Sequence, residues 1–225
     1  METAPIGIVA VNVGRPAQLA KGIRSAIGKH RVAPGTWLQL SAINLEGDDQ
    51  ANRRVHGGPE KAVYAYPSEH LTAWRAELSQ PIDDQAPFGE NLSTVGASEA
   101  EVVVGERWSW GEAVLQVCQP RWPCQKLILH RGSPDVAERM CDTGRSGWYL
   151  RVLQEGRVPV DGPGDVLERP DEPTILDCFL ARSDLHHDDP ARALRVIASP
   201  SLSPQWRSSL QAGLRRLAKP PRPQV

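Results

Sequence analysis

The sequence predicts a β-rich protein: a mostly β-barrel domain with a few helices, followed by a small C-terminal three-helix domain. Two observations predict this fold class. Between residues 6 and 118, short apolar and β-branched runs alternate with Gly and Pro, which is the pattern of strands joined by turns. From about residue 165 the pattern changes to short helical segments that each begin at a capping residue. A chain of 225 residues can bury one such core and carry a small appendage.

The predicted strands lie in the first half of the chain. A β-branched run at residues 6–13 is closed by Gly14, and residues 37–45 alternate apolar and polar side chains. Residues 17–29 are rich in Lys, Arg and Gly and give no clear prediction. Further strands are predicted at residues 63–66, 102–105, 106–110 and 113–118.

Helices are predicted where a capping residue or a proline precedes a helical pattern. Ser68 is the predicted N-cap of one helix, and Ser133 is that of another over residues 134–141. Residues 148–155 also show a helical pattern. The C-terminal helices are predicted at residues 175–181, 191–198 and 205–217.

The predicted division of the chain is a barrel domain at residues 1–168, a three-helix domain at 169–218 and a flexible tail at 219–225. Three helices this short are marginal alone. Their apolar side must therefore be covered by the barrel, by one another or by the second subunit of a homodimer.

Composition and charge exclude several classes of protein. The formal net charge of −1 and the pI near 6.6 predict no general attraction to nucleic acid or anionic membrane. No apolar run approaches the roughly 20 residues that span a bilayer, and the first residues show no signal peptide. The four cysteines lack Cys-x-x-Cys spacing, which argues against a structural zinc site. We therefore expect a cytoplasmic protein without nucleic-acid or membrane partners.

The most informative segment is residues 119–126, which read QPRWPCQK. Two prolines stiffen this connection, so the thiol of Cys124 is presented at a defined place. Arg121 and Lys126 flank that thiol, and nearby positive charge favours the thiolate, which binds soft metals or attacks electrophiles. From the residues alone, Cys124 is a metal ligand, a nucleophilic or persulfide-carrying cysteine, or a half-buried structural cysteine.

A second candidate segment, residues 53–61, reads RRVHGGPEK and combines two glycines with basic side chains. Gly57 and Gly58 either leave backbone amides uncovered, which makes an anion-binding concavity, or simply form a tight turn. The side chains that could add to such a cradle are Arg53, Arg54, His56 and Lys61.

Two further loops carry candidate binding residues. Residues 88–92 read FGENL, and the amide of Asn91 could either bind the edge of a planar ring or satisfy the turn. Residues 45–48 read LEGD, and Asp48 could close the turn, orient an arginine or contact a ligand.

These four segments, in this order and ending at the proline-bracketed cysteine, resemble the MOSC domain (molybdenum cofactor sulfurase C-terminal domain), and within it the bacterial YiiM type. The resemblance covers about residues 5–165 and extends to the helical C-terminal domain. It implies a molybdenum cofactor (molybdopterin) whose molybdenum is bound by Cys124, the candidate catalytic residue. The candidate cofactor-binding residues are Asp48, Arg54, His56, Gly57, Gly58, Lys61, Asn91, Arg121 and Lys126.

The resemblance also implies a function, namely reduction of small N-hydroxylated substrates such as 6-N-hydroxylaminopurine and related base analogues to amines. No flavin, haem, nicotinamide or cluster motif is evident, so a separate electron-donor redox protein is the expected partner. Two other functions stay open: a non-catalytic cofactor carrier or insertion module, and a sulfur-transfer protein that carries a persulfide on Cys124.

Overall fold

The computed structural model describes residues 5–51, 57–82, 85–187 and 189–218. Within these residues it contains twelve strands: β1 (Ile6–Val13), β2 (Ala17–Ala20), β3 (Ile23–Ser25), β4 (His30–Arg31), β5 (Trp37–Leu40), β6 (Val63–Pro67), β7 (Leu92–Val95), β8 (Arg107–Trp110), β9 (Ala113–Pro120), β10 (Trp148–Gln154), β11 (Gly156–Pro159) and β12 (Gly162–Glu168). The same residues form six α-helices: α1 (His70–Glu77), α2 (Gln125–Arg131), α3 (Asp135–Thr143), α4 (Ile175–Asp184), α5 (Ala191–Val196) and α6 (Pro204–Leu217).

Seven of these strands close into a barrel in the order β12, β8, β9, β10, β6, β7 and β1, and β12 pairs with β1 to complete the ring. All pairs are antiparallel except β6 with β7. Closure removes the unpaired edges that an open sheet would expose. The protein is therefore mostly β with some helices, as the sequence predicts.

The tight hairpin between β8 and β9 shows why one glycine is required. Gly111 has φ +58°, and a Cβ there would lie 2.6 Å from the carbonyl oxygen of Arg157. Only glycine fits both the backbone angle and the space. The hairpin confirms the strand–turn–strand prediction for residues 106–118.

The helical pattern at residues 148–155 is misleading, because this segment is strand β10. Trp148 and Leu150 are both buried, and their spacing of two residues is the period of a strand. The segment pairs with β9 on one side and β6 on the other, so tertiary pairing satisfies its backbone.

Other local predictions are also corrected. The strand at 37–45 ends at Leu40, although Leu40 and Leu45 form an isolated bridge, and residues 102–105 are not a strand. Neither Ser68 nor Ser133 caps a helix, because α1 begins after Glu69 and α3 begins after Pro134. Short polar side chains favour caps but do not fix the first helical residue.

The C-terminal helices begin within one residue of the predicted positions. Thr174 caps α4 by accepting a hydrogen bond from the backbone N–H of Asp177, and Ser203 caps α6 by accepting one from Trp206. These helices share one hydrophobic cluster with the barrel, so the barrel covers their apolar side. The cluster includes Val117, Trp148, Ile175, Cys178, Trp206 and Leu210. The domain boundary at residue 168 stays a prediction.

A second hydrophobic cluster joins the three middle helices to the barrel. Its aromatic members are Tyr64, Tyr66, Trp74, Phe88 and Phe179. In the described part of the chain, every helix is too short or too polar to cross a membrane.

Candidate functional site

The segment with the candidate cysteine leaves the barrel at the end of β9 and leads directly into α2. Cys124 is the N-cap residue of α2, and its carbonyl oxygen accepts the backbone N–H of Leu127 at 2.9 Å. Its side chain makes no capping hydrogen bond. The helix is thus begun by the backbone, and the half-buried thiol is left to line two neighbouring cavities.

The first cavity has a volume of about 90 Å³ and lies between the end of β9 and the loops after β3, β5 and α1. It brings together six of the residues chosen from the sequence: Asp48, Lys61, Asn91, Arg121, Cys124 and Lys126. Residues from four separate segments thus meet at one place. The role of each in binding a cofactor stays a prediction.

Asp48 is the centre of a buried hydrogen-bond network in the floor of this cavity. Its carboxylate accepts the backbone N–H of Gly14 at 2.8 Å and the side-chain amide of Asn91 at 3.0 Å. It also forms an ion pair with the ammonium group of Lys29. Of the three roles that the sequence left open for Asp48, the structure shows an orienting role, and the group that Asp48 orients is a lysine and not an arginine.

Lys29 was missed in the sequence because it lies in a segment that gave no clear prediction. Only 6 % of its side chain is exposed, and it lines the first cavity. Burial lowers its pKa, although the charge of Asp48 opposes that shift. Its burial depends on a contact with Asp48, 19 residues away, so no local pattern could have revealed it.

Asn91 has less freedom to bind a ligand than the sequence suggested. Both amide protons are used, by the carbonyl oxygen of Asn12 at 3.2 Å and by Asp48. Its side-chain oxygen accepts the backbone N–H of Tyr64 at 3.1 Å. Asn91 therefore ties β1, β6 and the Asp48 loop together, and it holds the cavity in shape.

Glu90 stands beside Asn91 and is almost fully buried. Its carboxylate accepts the backbone N–H of Phe88 at 3.0 Å and the hydroxyl of Ser93 at 3.2 Å. Burial raises its pKa to about 7, despite these hydrogen bonds and the nearby Arg121. The loop behind the cavity thus contains a carboxyl group that titrates near neutral pH.

Arg121 is buried between the two cavities and lines both. One guanidinium nitrogen donates to the carbonyl oxygen of Phe88, and the group lies 4.8 Å from the centre of the Tyr64 ring. These contacts fix the guanidinium plane. A guanidinium has five N–H donors, so donors remain for a ligand.

Lys61 also lines both cavities. Its ammonium nitrogen lies 5.9 Å from the centre of the Tyr149 ring, and burial lowers its pKa. Gly58, which precedes the short 3₁₀ helix Pro59–Lys61, has φ +92° and accepts the backbone N–H of Lys61 at 3.0 Å. Gly58 thus makes the turn that brings Lys61 to the cavity, and neither Gly57 nor Gly58 lines it. Arg54 and His56 lie outside the described residues.

The remaining cysteines are packed as core thiols. Cys118 on β9 donates from its thiol to the carbonyl oxygens of Glu60 at 3.2 Å and Tyr149 at 3.3 Å, and burial raises its pKa. Cys178 is buried in α4 and Cys141 is half-buried in α3. All four cysteines are unpaired.

The second cavity, of about 320 Å³, adjoins the first and shares Lys61, Arg121, Cys124 and Tyr149 with it. Its outer wall comes from the C-terminal helices, which no sequence pattern placed near the site. The residues of that wall are Arg182 on α4 and Gln205, Trp206 and Ser209 on α6. Across the described part of the chain, no three His, Cys, Asp or Glu side chains form a metal-binding group.

Comparison with known proteins assigns this architecture to a family. The model of the MOSC domain matches residues 52–167. Protein YiiM of Escherichia coli is 38% identical over 205 residues, which cover 90% of each chain. A protein of Gibberella moniliformis named Reductase is 36% identical over 179 residues, which are 76% of this chain and 31% of that protein.

Solved structures agree with the sequence comparison. The crystal structure of YiiM from Geobacillus stearothermophilus matches with a TM-score of 0.77 and 32% identity, and the match covers 93% of this chain and 100% of that one. The domain match spans more than half of the chain, and the barrel and helices have the same arrangement as in a solved relative. The chain therefore belongs to the MOSC domain family.

Proposed function

We propose that this protein binds the molybdenum cofactor at the first cavity, whose volume of about 90 Å³ receives only part of the cofactor, and reduces small N-hydroxylated compounds to amines. The observation that supports this proposal most is the composition of that cavity. Among its described lining residues, one unpaired thiol, Cys124, stands with the cationic side chains of Lys61, Arg121 and Lys126, while Asp48 balances the charge of Lys29 and Asp49 also lines the cavity. A thiolate is the soft ligand that suits molybdenum, and cations suit the phosphate of a pterin cofactor.

The residues present fit the cofactor in distinct ways. Cys124 would be the metal ligand, since its thiol is not used for capping or paired in a disulfide. Arg121 would contact the cofactor from a fixed position, because its guanidinium is already held by Phe88 and Tyr64. Asp48 would act indirectly, by holding Lys29 in place. When bound, the cofactor supplies the two-electron chemistry of the reaction.

Conversion of a hydroxylamine to an amine and water consumes two protons and two electrons. Lys61 is the residue best placed to hold a proton for this step, because it lines both cavities beside Cys124. Its pKa is lowered by burial, which makes its ammonium group a better acid near neutral pH. We propose that the electrons come from a separate redox protein in a reducing cytoplasm, where four unpaired cysteines persist.

The second cavity favours a reductase over a carrier of the cofactor. A carrier needs only a site for the cofactor, whereas a reductase also needs space beside the metal ligand for a substrate. Here Cys124 borders an additional cavity of about 320 Å³. The name Reductase of the Gibberella relative is consistent with this choice.

The test is reduction of 6-N-hydroxylaminopurine by protein made in a cofactor-producing host, with a chemical electron donor. Cys124→Ser should lower the rate by more than the roughly 100-fold that loss of an outer-shell partner can cost. Cys118→Ser is the matched control, because its side chain is sealed in the barrel and should leave the rate nearly unchanged. Equal loss in both variants, or an active Cys124→Ser protein, would contradict the proposed role of Cys124.

A further inference from the structure

The lining of the second cavity combines two indole rings with one guanidinium group. Arg182 lies 4.2 Å from the centre of the Trp122 ring and 5.5 Å from that of Trp206. Phe179, one turn earlier on α4, stacks on Trp122 at 4.9 Å. The indole N–H of Trp206 donates to the carbonyl oxygen of Cys178 at 3.2 Å, so this ring is fixed as well. We call Trp122, Arg182 and Trp206 the aromatic wall.

Arg182 has donor groups available toward the cavity. A guanidinium that stacks on aromatic rings uses its face, and its N–H donors lie at its edge. Within the residues that the structure describes, no carboxylate forms an ion pair with Arg182, which lies over the two indole rings and near the thiol of Cys141. The edge of the guanidinium can therefore bind a ligand without first giving up a partner.

The charges around this cavity have one sign. Lys61, Arg121 and Arg182 line it, and no Asp or Glu is among its described lining residues. A cation placed there would meet repulsion, whereas an acceptor atom or an anion would meet donors. Trp122 and Trp206 add apolar ring atoms to this lining, and an aromatic ligand packs against such rings edge-to-face or offset, which a branched aliphatic ligand does not.

We propose that the second cavity is the substrate chamber and that Arg182 is a specificity-determining residue, which selects planar aromatic compounds with acceptor atoms and excludes cations. The inference rests on the proposed function at one point: the compound that binds in the second cavity is taken to be the compound that is reduced. It gives the C-terminal helices a role in selecting the substrate, in addition to their packing on the barrel.

The experiment measures binding of three planar ligands of equal size, benzoate, benzamide and benzamidine, to the cofactor-loaded protein by calorimetry. The first is an anion, the second is neutral and the third is a cation. The wild-type protein should bind benzoate most tightly and benzamidine least. In Arg182→Met, benzoate affinity should fall about 10- to 100-fold, as expected for loss of a hydrogen bond to a charged group, and benzamidine should bind better.

Two further variants separate charge from packing. Arg182→Lys keeps the charge but loses the planar pair of donors, so the order of the three ligands should persist with weaker benzoate binding. Arg195→Met, on the exposed side of α5, removes the same charge away from both cavities and should leave all three affinities unchanged. An unchanged order of affinities in Arg182→Met, or no binding of any ligand to the wild type, would overturn the inference.

The outcomes also distinguish this inference from the proposed function. If the order of ligand affinities depends on Arg182 but the cofactor-loaded protein reduces no N-hydroxylated compound, the role of Arg182 in binding is supported and the proposed reaction is contradicted. If the protein reduces both 6-N-hydroxylaminopurine and a cationic N-hydroxyguanidine, and Arg182→Met leaves their ratio of rates unchanged, the reaction stands and the selection by Arg182 is wrong.

Discussion

The two cavities that meet at Cys124 differ in how their walls are held. In the first cavity, Asp48 and Asn91 have their polar atoms engaged by Lys29, by each other and by backbone groups. In the second, Arg182 contacts ring faces and keeps its N–H edge for a ligand. The polar groups of the first wall are thus satisfied within the protein, whereas the second wall keeps N–H donors for a ligand. This difference suits a permanent cofactor on one side and exchanging substrates on the other.

The largest effect on stability is expected when the ion pair in the wall of the first cavity is removed. Asp48→Asn leaves the ammonium group of Lys29 buried without its carboxylate, and loss of one partner of a buried pair typically costs about 3–5 kcal/mol. The free energy of unfolding, measured by urea denaturation at neutral pH, should fall by that amount. The double variant Asp48→Asn/Lys29→Met should recover part of the loss, since the isolated charge is gone. A fall no larger than the roughly 0.5 kcal/mol of a surface substitution would show that the pair does not hold this wall.

A smaller, pH-dependent effect is expected at Glu90, behind the same wall. Its pKa is raised by burial from 4.5 to about 7, so the folded state keeps this proton at pH values where the unfolded state has lost it. Between these two values the free energy of unfolding should therefore decrease as the pH rises, by roughly 3 kcal/mol in all. Glu90→Gln should lack this decrease. A pH profile from 4.5 to 8 measured on both proteins checks the prediction, and parallel profiles would contradict it.

The smallest effect on stability is expected for substitution of Arg182 in the wall of the second cavity. Arg182→Met keeps an unbranched apolar stem against Trp122, and the cation–π contacts it loses are worth about 0.5–1 kcal/mol each at exposed sites. The free energy of unfolding should thus fall by only about 1–2 kcal/mol for the two contacts together, although ligand selection changes. Destabilisation as large as that of Asp48→Asn would mean that Arg182 holds the helices together, and the contrast between the two walls would be lost.

The sequence reveals those parts of the site that depend on local geometry. Cys124 is placed by its own proline-bracketed segment, and Thr174 and Ser203 start their helices through bonds within one turn. Lys29 could not be found in this way, because its burial requires Asp48 on a separate loop. Arg182 reaches the site only because α4 docks on the barrel.

The same distinction applies to the fold. The alternation of residues 113–118 predicts β9, and their local hairpin with β8 confirms it. Residues 148–154 form a strand because β6 and β9 lie on either side of them, and no local pattern contains that information. Closure of the barrel by β12 likewise joins residues at opposite ends of the domain.

The central claim is that Cys124 binds the molybdenum of a cofactor that is held at the first cavity. Its most direct test is the molybdenum content of three purified proteins, the wild type, Cys124→Ser and Cys118→Ser, made in a host that produces the cofactor. We expect equimolar molybdenum in the wild type and in Cys118→Ser, and a content far below equimolar in Cys124→Ser. Absence of molybdenum from the wild type, with a persulfide on Cys124, or equal molybdenum in all three proteins would contradict the claim.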